Sequence, residues 1–300
     1  RHASSCTVQP WSRFSHSPGT LSLDNGFGVR APSTIKPLTY LFTRVNPMSE
    51  GEIFIHEYGE VDLKDGMAII GFPSVGLVSS IASNFIVRTM RLERRAAIIS
   101  KHFPPFTIIH DGVPSPPVRI YAGHRDSEKK GERCEKLAVI TCEFMPQPEL
   151  IKELSDDILG WCKKKGIATI LTLEGINMGG EGEAKVLGVG TTERTRGMLT
   201  SYGVKELREG MVMGISGLLL SEGERYQMDV ICLLGSARTD VPDARGAANL
   251  LEVVGDMLPE IKLDPEPLIK EAEQIENEMQ KAMESVQQPK KQVEYSQLYG

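Results

Sequence analysis

From residue 53 to residue 258, short apolar runs alternate with longer stretches whose apolar residues recur every three or four positions. The clearest unit is Gly66 to Met90, GMAIIGFPSVGLVSSIASNFIVRTM. Met67–Ile70 is a strand-length apolar run. The turn Gly71-Phe-Pro-Ser-Val-Gly76 comes next, where Pro73 has no N–H to give a ladder and the two glycines allow left-handed or closely packed backbone. An apolar-rich segment of helical length completes the unit. A strand, a tight connection and a helix open an α/β sheet. On that helix Leu77, Ile81, Phe85 and Arg88 fall near one turn apart, beside Val78, Ala82 and Ile86. So broad an apolar face predicts a helix largely buried, against the sheet or against a neighbouring subunit.

The same alternation continues. Ile53–Ile55 and Ala96–Ser100 read as strands. Phe103-Pro-Pro-Phe106 breaks the chain, and Thr107–His110 and Val118–Ala122 flank the turn Asp111–Pro117. Pro116-Pro117 forbid a central strand across that connection, which predicts a hairpin-like edge; Gly123–Lys136 reads as a polar loop. Leu137–Cys142 is wholly apolar, as in a sheet covered on both faces. A helix over Glu149–Lys165, with Leu150, Leu154, Ile158 and Trp161 on one side, leads to a second buried strand at Ile167–Leu173. That order predicts a right-handed parallel crossover. Beyond the glycine-rich loop Gly175–Gly190, with a short strand at Lys185–Val189, Thr191-Thr192-Glu193 caps a helix through Leu199. Met211–Leu220 reads as strand running into helix, Met228–Leu234 as a strand, and Pro242–Leu258 as a closing helix. Residues 48–259 are expected to form one doubly wound α/β domain.

The flanks differ. In residues 260–286, Leu268, Ala272, Ile275, Met279, Ala282 and Val286 are spaced by 4, 3, 4, 3 and 4, the rhythm of a short coiled coil or of a helix packed on its own domain. Residues 287–300 are polar, broken by Pro289, and expected to be a flexible tail. Residues 1–47 are Ser-rich and basic and lack periodicity, which predicts disorder and no part in the fold. Their composition is that of an organelle transit peptide or, the better reading, of a region upstream of a start at Met48.

Charge sharpens the contrast. The first 47 residues carry net +4, so the rest of the chain holds −10 of the overall −6. An acidic body argues against nucleic acid or an anionic membrane as the main partner. No apolar run reaches the ~20 residues of a membrane helix, so a soluble protein is expected, and its cysteine usage suits a reducing cytoplasm. Cys6, Cys134, Cys142, Cys162 and Cys232 make no CxxC pair, and the last three sit in apolar contexts as buried thiols.

Candidate chemistry is thin. Gly71-x4-Gly76 lacks the Lys-Ser/Thr of a phosphate loop; Gly188-Val-Gly190-Thr-Thr offers amides to an anion, or simply turn geometry. His102, His110, His124, Asp111, Glu143 and Glu174 are the residues able to do acid–base work. Glu143 and Glu174 lie just past strand ends, where α/β sheets place such groups, although helix N-termini or a subunit interface satisfy such charges more often. No nucleophile–base pair and no metal-ligand spacing can be named. Neither a catalytic residue, a cofactor nor a metal is expected.

Ile70-Gly-Phe-Pro-Ser-Val-Gly-Leu-Val78, Phe103-Pro-Pro, Asp111-Gly-Val-Pro and Pro117-Val-Arg-Ile-Tyr121, with Glu174-Gly-Ile and Gly217-Leu-Leu-Leu220, resemble the archaeal branch of the proteasome assembly chaperone family over about residues 50–258. The resemblance implies a three-layer α/β/α sandwich similar to nucleoside phosphorylases, no enzymatic role, homo-oligomers and the proteasome core particle as partner. Leu77, Ile81 and Phe85 of the first helix, and Ile275 and Met279 of the heptads, are the candidate oligomer interface. The ending Leu298-Tyr299-Gly300 is similar to the docking signature by which proteasome activators engage the α ring. An ATP-independent assembly chaperone or core-particle-binding factor is therefore expected. The alternative is an enzyme acting on a nucleoside-like or phosphate-bearing ligand.

Overall fold

A computed structural model of the chain describes residues 53–110, 112–124, 136–178, 185–239, 241–259 and 263–270. The extension 1–47, the heptad positions Ala272 to Val286 and the tail with Leu298, Tyr299 and Gly300 lie outside the described residues. Strands β1 (Ile53–Glu57), β2 (Met67–Gly71), β3 (Glu93–Ser100), β6 (Val118–His124), β7 (Lys136–Cys142), β8 (Thr169–Ile176), β9 (Val186–Gly190), β10 (Lys205–Glu206) and β11 (Asp229–Ser236) form one mixed sheet. Its order is β1-β3-β6-β7-β2-β8-β11-β9-β10. A separate hairpin joins β4 (Ile108–His110) to β5 (Val113–Ser115).

The centre is parallel because it is covered twice. In β2 every residue is buried, and Ile69 stands opposite Val139 of β7 on one side and Leu171 of β8 on the other. Ile69 looks toward helices α1 (Val78–Thr89) and α5 (Ala244–Met257). Ala68 and Ile70 look toward α2 (Pro148–Lys164) and α4 (Gly214–Tyr226). Two apolar cores, one on each face of the sheet, give the α/β fold with helices on both sides. A short helix, α3 (Glu193–Ser201), packs at the β9–β10 edge, where Thr192 caps it by accepting from the Thr195 amide.

Four expectations need correction or refinement. Val118–Ala122 is no edge partner of Thr107–His110: β6 lies inside the sheet, antiparallel to both β3 and β7. The prolines precede the strand, where a missing N–H costs no ladder bond, and the hairpin closes earlier, at β5. The connection β7–α2–β8 is a parallel crossover, but it straddles β2, which lies between its two strands. The sheet also carries antiparallel strands on both flanks, so it is mixed rather than purely doubly wound. Finally, Met211–Met213 is not a strand; α4 starts directly at Gly214.

The first helix presents the largest difference. Of the expected face it buries Val78, Ala82 and Ile86, joined by Ser79, Ser83 and Val87, but not the stripe through Leu77, Ile81 and Phe85. Small residues win because the helix presses close to the sheet: a Cβ on Gly71 would lie 2.4 Å from that of Ser83. The buried hydroxyls are satisfied locally, Ser79 donating to the Phe72 carbonyl and Ser83 to that of Ser80. Leu77 is left 44% exposed, while Ile81 and Phe85 are half-buried at the margin of the core.

Candidate functional site

The turn between β2 and α1 is fixed from three sides. The Gly175 amide, in β8, donates to Ser74 Oγ at 3.1 Å, and that oxygen is 2.8 Å from Ser79 Oγ. The Gly76 carbonyl accepts from the Asp243 amide at 2.7 Å. Asp243 itself caps α5, its carboxylate accepting from the amides of Gly246 (2.9 Å) and Arg238 (3.0 Å). Gly76 is left-handed at φ 61°, and a Cβ there would meet the Arg238 carbonyl at 2.8 Å. The next residue, Leu77, is also left-handed, at φ 52°. A leucine in that region is strained by roughly 1–2 kcal/mol. Its neighbours over-determine it, and the result is an apolar side chain held at the surface.

Leu77 stands at the mouth of a cleft of about 690 Å³. One wall is the outer face of α1, from Leu77 and Ile81 to Arg88 and Arg91; the other is the β4 strand, with Ile108, Ile109 and His110. Arg119 and Tyr121 of β6 form the floor, with Glu143, Ala244 and Leu268 also lining it. The cleft exists because α1 covers β7, β2 and β8, while the α1-side residues of β6 lie beyond it. The hairpin is held over that side by Arg94 of β3, which donates to the Pro114 carbonyl at 3.3 Å and to Ser115. Phe103 and Phe106 pack on Phe144, with ring centroids 5.1 and 6.4 Å away, and tie the approach to the hairpin to the end of β7. Ile109, at the rim, is 61% exposed.

Arg119 is the unusual residue of the floor. Only 3% of it is exposed. Its guanidinium is ion-paired with Glu143, reaches Thr141 Oγ1 at 3.4 Å and stands 5.8 Å from the Tyr121 ring centroid. Its Nε is buried without a partner among the described residues. The sequence carries a signal for it: a lone arginine at an alternate position of an otherwise apolar interior strand requires a counter-charge.

The two carboxylates expected past strand ends do not meet, and Glu174 lies inside β8 rather than beyond it. Glu143 lies on the α1 side with Arg119, whereas Glu174 hydrogen bonds to Ser216 of α4, on the opposite side of the sheet. Burial raises the Glu174 pKa to about 7, against the lowering effect of the Ser216 hydroxyl and the Gly175 amide. His110 lines the cleft and His102 sits in the turn after β3; Asp111 and the His124 side chain lie outside the described residues. The Gly188–Thr192 stretch is not an open anion cradle: Thr192 occupies the Thr195 amide and donates to Asp229 at 2.7 Å. Gly190 is packed on Thr195, where a Cβ would lie 2.6 Å from Oγ1. Burial pushes the Cys142 and Cys232 thiols up to about 12 and raises Cys162 further, so all three are inert at neutral pH. Among the described residues no group of three His, Cys, Asp or Glu is placed to hold a metal, and no helix is long and apolar enough to cross a membrane. The site is a partly apolar, basic-rimmed cleft rather than a constellation of reacting groups.

The profile of the PAC2 family matches residues 68–283. An uncharacterised protein of Methanocaldococcus jannaschii is 32% identical over 228 residues, covering 76% of this chain and 90% of the relative. Among solved structures, Pyrococcus furiosus PbaA, described as an archaeal homolog of proteasome-assembly chaperone, matches with a TM-score of 0.69 at 31% identity, over 79% of this chain and 93% of that one. Pyrococcus furiosus PbaB, described as an archaeal proteasome activator, matches with a TM-score of 0.67 at 24% identity, over 77% and 99%.

Proposed function

This chain belongs to the PAC2 family, the archaeal-type proteasome assembly chaperone family, and on that premise we propose that it binds the proteasome core particle by inserting its C-terminal residues into the α ring. The observation that carries the proposal is the likeness to PbaA, 31% identical along 93% of that protein's length, in a chain that carries the segment Leu298-Tyr299-Gly300. The terminal carboxylate pairs with a lysine between adjacent α subunits through a charge-assisted bond. Tyr299 buries its ring while its hydroxyl keeps a partner, and Leu298 adds apolar contact. The protein acts in the cytoplasm without ATP, on a fold like that of nucleoside phosphorylases, as an assembly chaperone or binding factor.

Single contacts of this kind are weak, and a homo-oligomer presenting several tails gains from multivalency. The surfaces available for self-association are the outer residues of α1, Leu77, Ile81 and Phe85, and the heptad positions Ile275 and Met279. Support for an interface comes from the exposure of Leu77 beside that of Ile109.

Surface plasmon resonance against an immobilised α ring tests the proposal. Deleting Tyr299-Gly300, substituting Tyr299→Ala, or adding one residue after Gly300 each weakens binding at least about tenfold, the loss of one good anchor, while circular dichroism stays unchanged. Parent-like binding by all three variants would overturn it.

A further inference from the structure

The cleft beside α1 is long, apolar along its middle and basic at one end, and the chain itself enters it. Leu268 is 4% exposed and lines the cleft, where it also joins the core between α1 and α5. Residues 266–270 are helical, with the Leu268 and Ile269 amides donating to the Pro265 carbonyl. The described chain stops at Lys270, one turn into that helix.

Three features match residues 271–283 to the cleft. The first is length. Leu77 to Arg91 marks out about 20 Å of wall, and a helix from Leu268 to Ala282 has the same number of residues and the same length. The second is pattern. Leu268, already seated, is the first position of the stripe Leu268, Ala272, Ile275, Met279, Ala282; small and flexible residues suit a shallow, irregular groove. The third is charge. Residues 271–283 hold Glu271, Glu273, Glu276 and Glu278 and the single cation Lys281, against Arg88 and Arg91 on the rim. The family match supplies independent support, since it runs to residue 283 and not to the end of the globular helices near 258. A free-standing stalk would need no such continuity with the domain.

We propose that residues 271–283 are a helical arm lying in this cleft along α1 of the same chain, its apolar stripe on Ile81, Ile109 and Tyr121 and its glutamates toward Arg88 and Arg91. The arm supplies the cover that the outer face of α1 lacks. It narrows the self-association proposed above: Ile275 and Met279, and with them Ile81 and Ile109, are covered within their own subunit, and contacts between copies use the surface that the arm leaves open. The tail then starts from the side of the domain, not from the tip of a coiled coil.

Hydrogen exchange on the full-length protein, without any proteasome subunit, tests this independently of tail docking. Peptides covering 271–283 exchange at least about tenfold more slowly than those covering 287–300. That protection is unchanged on roughly hundredfold dilution, as an intramolecular contact requires. Reversing the rim with Arg88→Glu and Arg91→Glu, both surface positions, removes it. Adding Glu271→Lys, Glu273→Lys, Glu276→Lys and Glu278→Lys restores it. Unprotected 271–283 peptides would overturn the proposal. So would protection that disappears on dilution, which assigns the segment to a second copy or a coiled coil, or protection indifferent to the charges at 88 and 91.

Discussion

Arg119 and Glu143 are joined by an ion pair on the floor of the cleft, yet they are buried unequally: the arginine side chain is 4% exposed and the glutamate 28%. Removing one partner is therefore not equivalent to removing the other. Glu143→Ala leaves an almost fully buried guanidinium without its counter-charge, and should cost about 3 kcal/mol. Arg119→Met leaves a carboxylate that can hydrate and fills the space with apolar atoms, so it should cost less than half as much. Urea unfolding of both variants checks the order; equal losses would show that the pair matters only as a contact.

The strained turn gives a second ranking. At Gly76, alanine meets both a left-handed backbone and the Arg238 carbonyl, so Gly76→Ala should destabilise by about 2 kcal/mol or more. At Leu77 the direction reverses. Leu77→Gly removes the left-handed strain but also a side chain that is only partly packed, and should change stability by less than about 1 kcal/mol. Leu77→Val, β-branched at φ 52°, should be the worst of the three choices at that position. Thermal melts of the four proteins measure this directly.

Glu174 predicts a pH dependence whose sign is definite. Its folded pKa lies near 7 against an ordinary 4.5, so between those values the folded state binds more protons than the unfolded one. Stability from this group is then present below about pH 4.5 and is lost as pH rises toward 7 and beyond. Glu174→Gln keeps the Ser216 contact without the charge. It should flatten the decline between pH 5 and 7 and stabilise the protein at pH 8 by about 2–3 kcal/mol. Guanidinium titrations at several pH values, parent beside variant, decide the matter. Asp157, raised by burial to about 6, accounts for any slope that survives at the acid end.

The interface between β2 and α1 yields a fourth test. Gly71→Ala places a methyl group 2.4 Å from the Ser83 Cβ and must push the helix off the sheet, at about 2–3 kcal/mol. Combining it with Ser83→Gly should recover only part of the loss: the two positions share one volume, but the added methyl still lies 2.7 Å from the Ser79 carbonyl. A double-mutant cycle showing additivity would mean that the helix is free to move.

How much of the fold is legible in the sequence depends on how local each signal is. The strands β7, β8 and β11 and the helices α2 and α5 can be read to within about two or three residues, since each is an apolar run or face long enough to declare its period. The face of α1 misleads because Ser79 and Ser83 look solvent-facing in a sequence; their burial depends on Phe72 and Ser80 carbonyls and on a glycine in a neighbouring strand. The placement of β6 misleads because Pro116-Pro117 announce a break without saying on which side of it the partner strand lies. The cleft is hidden altogether. Its walls come from residues 77–91 and 108–110, its floor from 119–121, and nothing in any one of those stretches reveals the others.

The position of β2 bears on how the protein is made. Both strands that flank it, β7 and β8, are translated later than β2 itself, and β8 ends about a hundred residues downstream. At ribosomal speeds of about 5–20 residues per second the strand Met67–Gly71 waits on the order of 5–20 seconds for its second neighbour. During that interval the antiparallel β1–β3–β6 half can assemble, but the central apolar strand has both edges open until β7 emerges and one edge open until β8 does. The protein thus passes through its own stage of exposure, and a pause in translation between residues 71 and 169 would prolong the stage at which the nascent chain is most prone to aggregate.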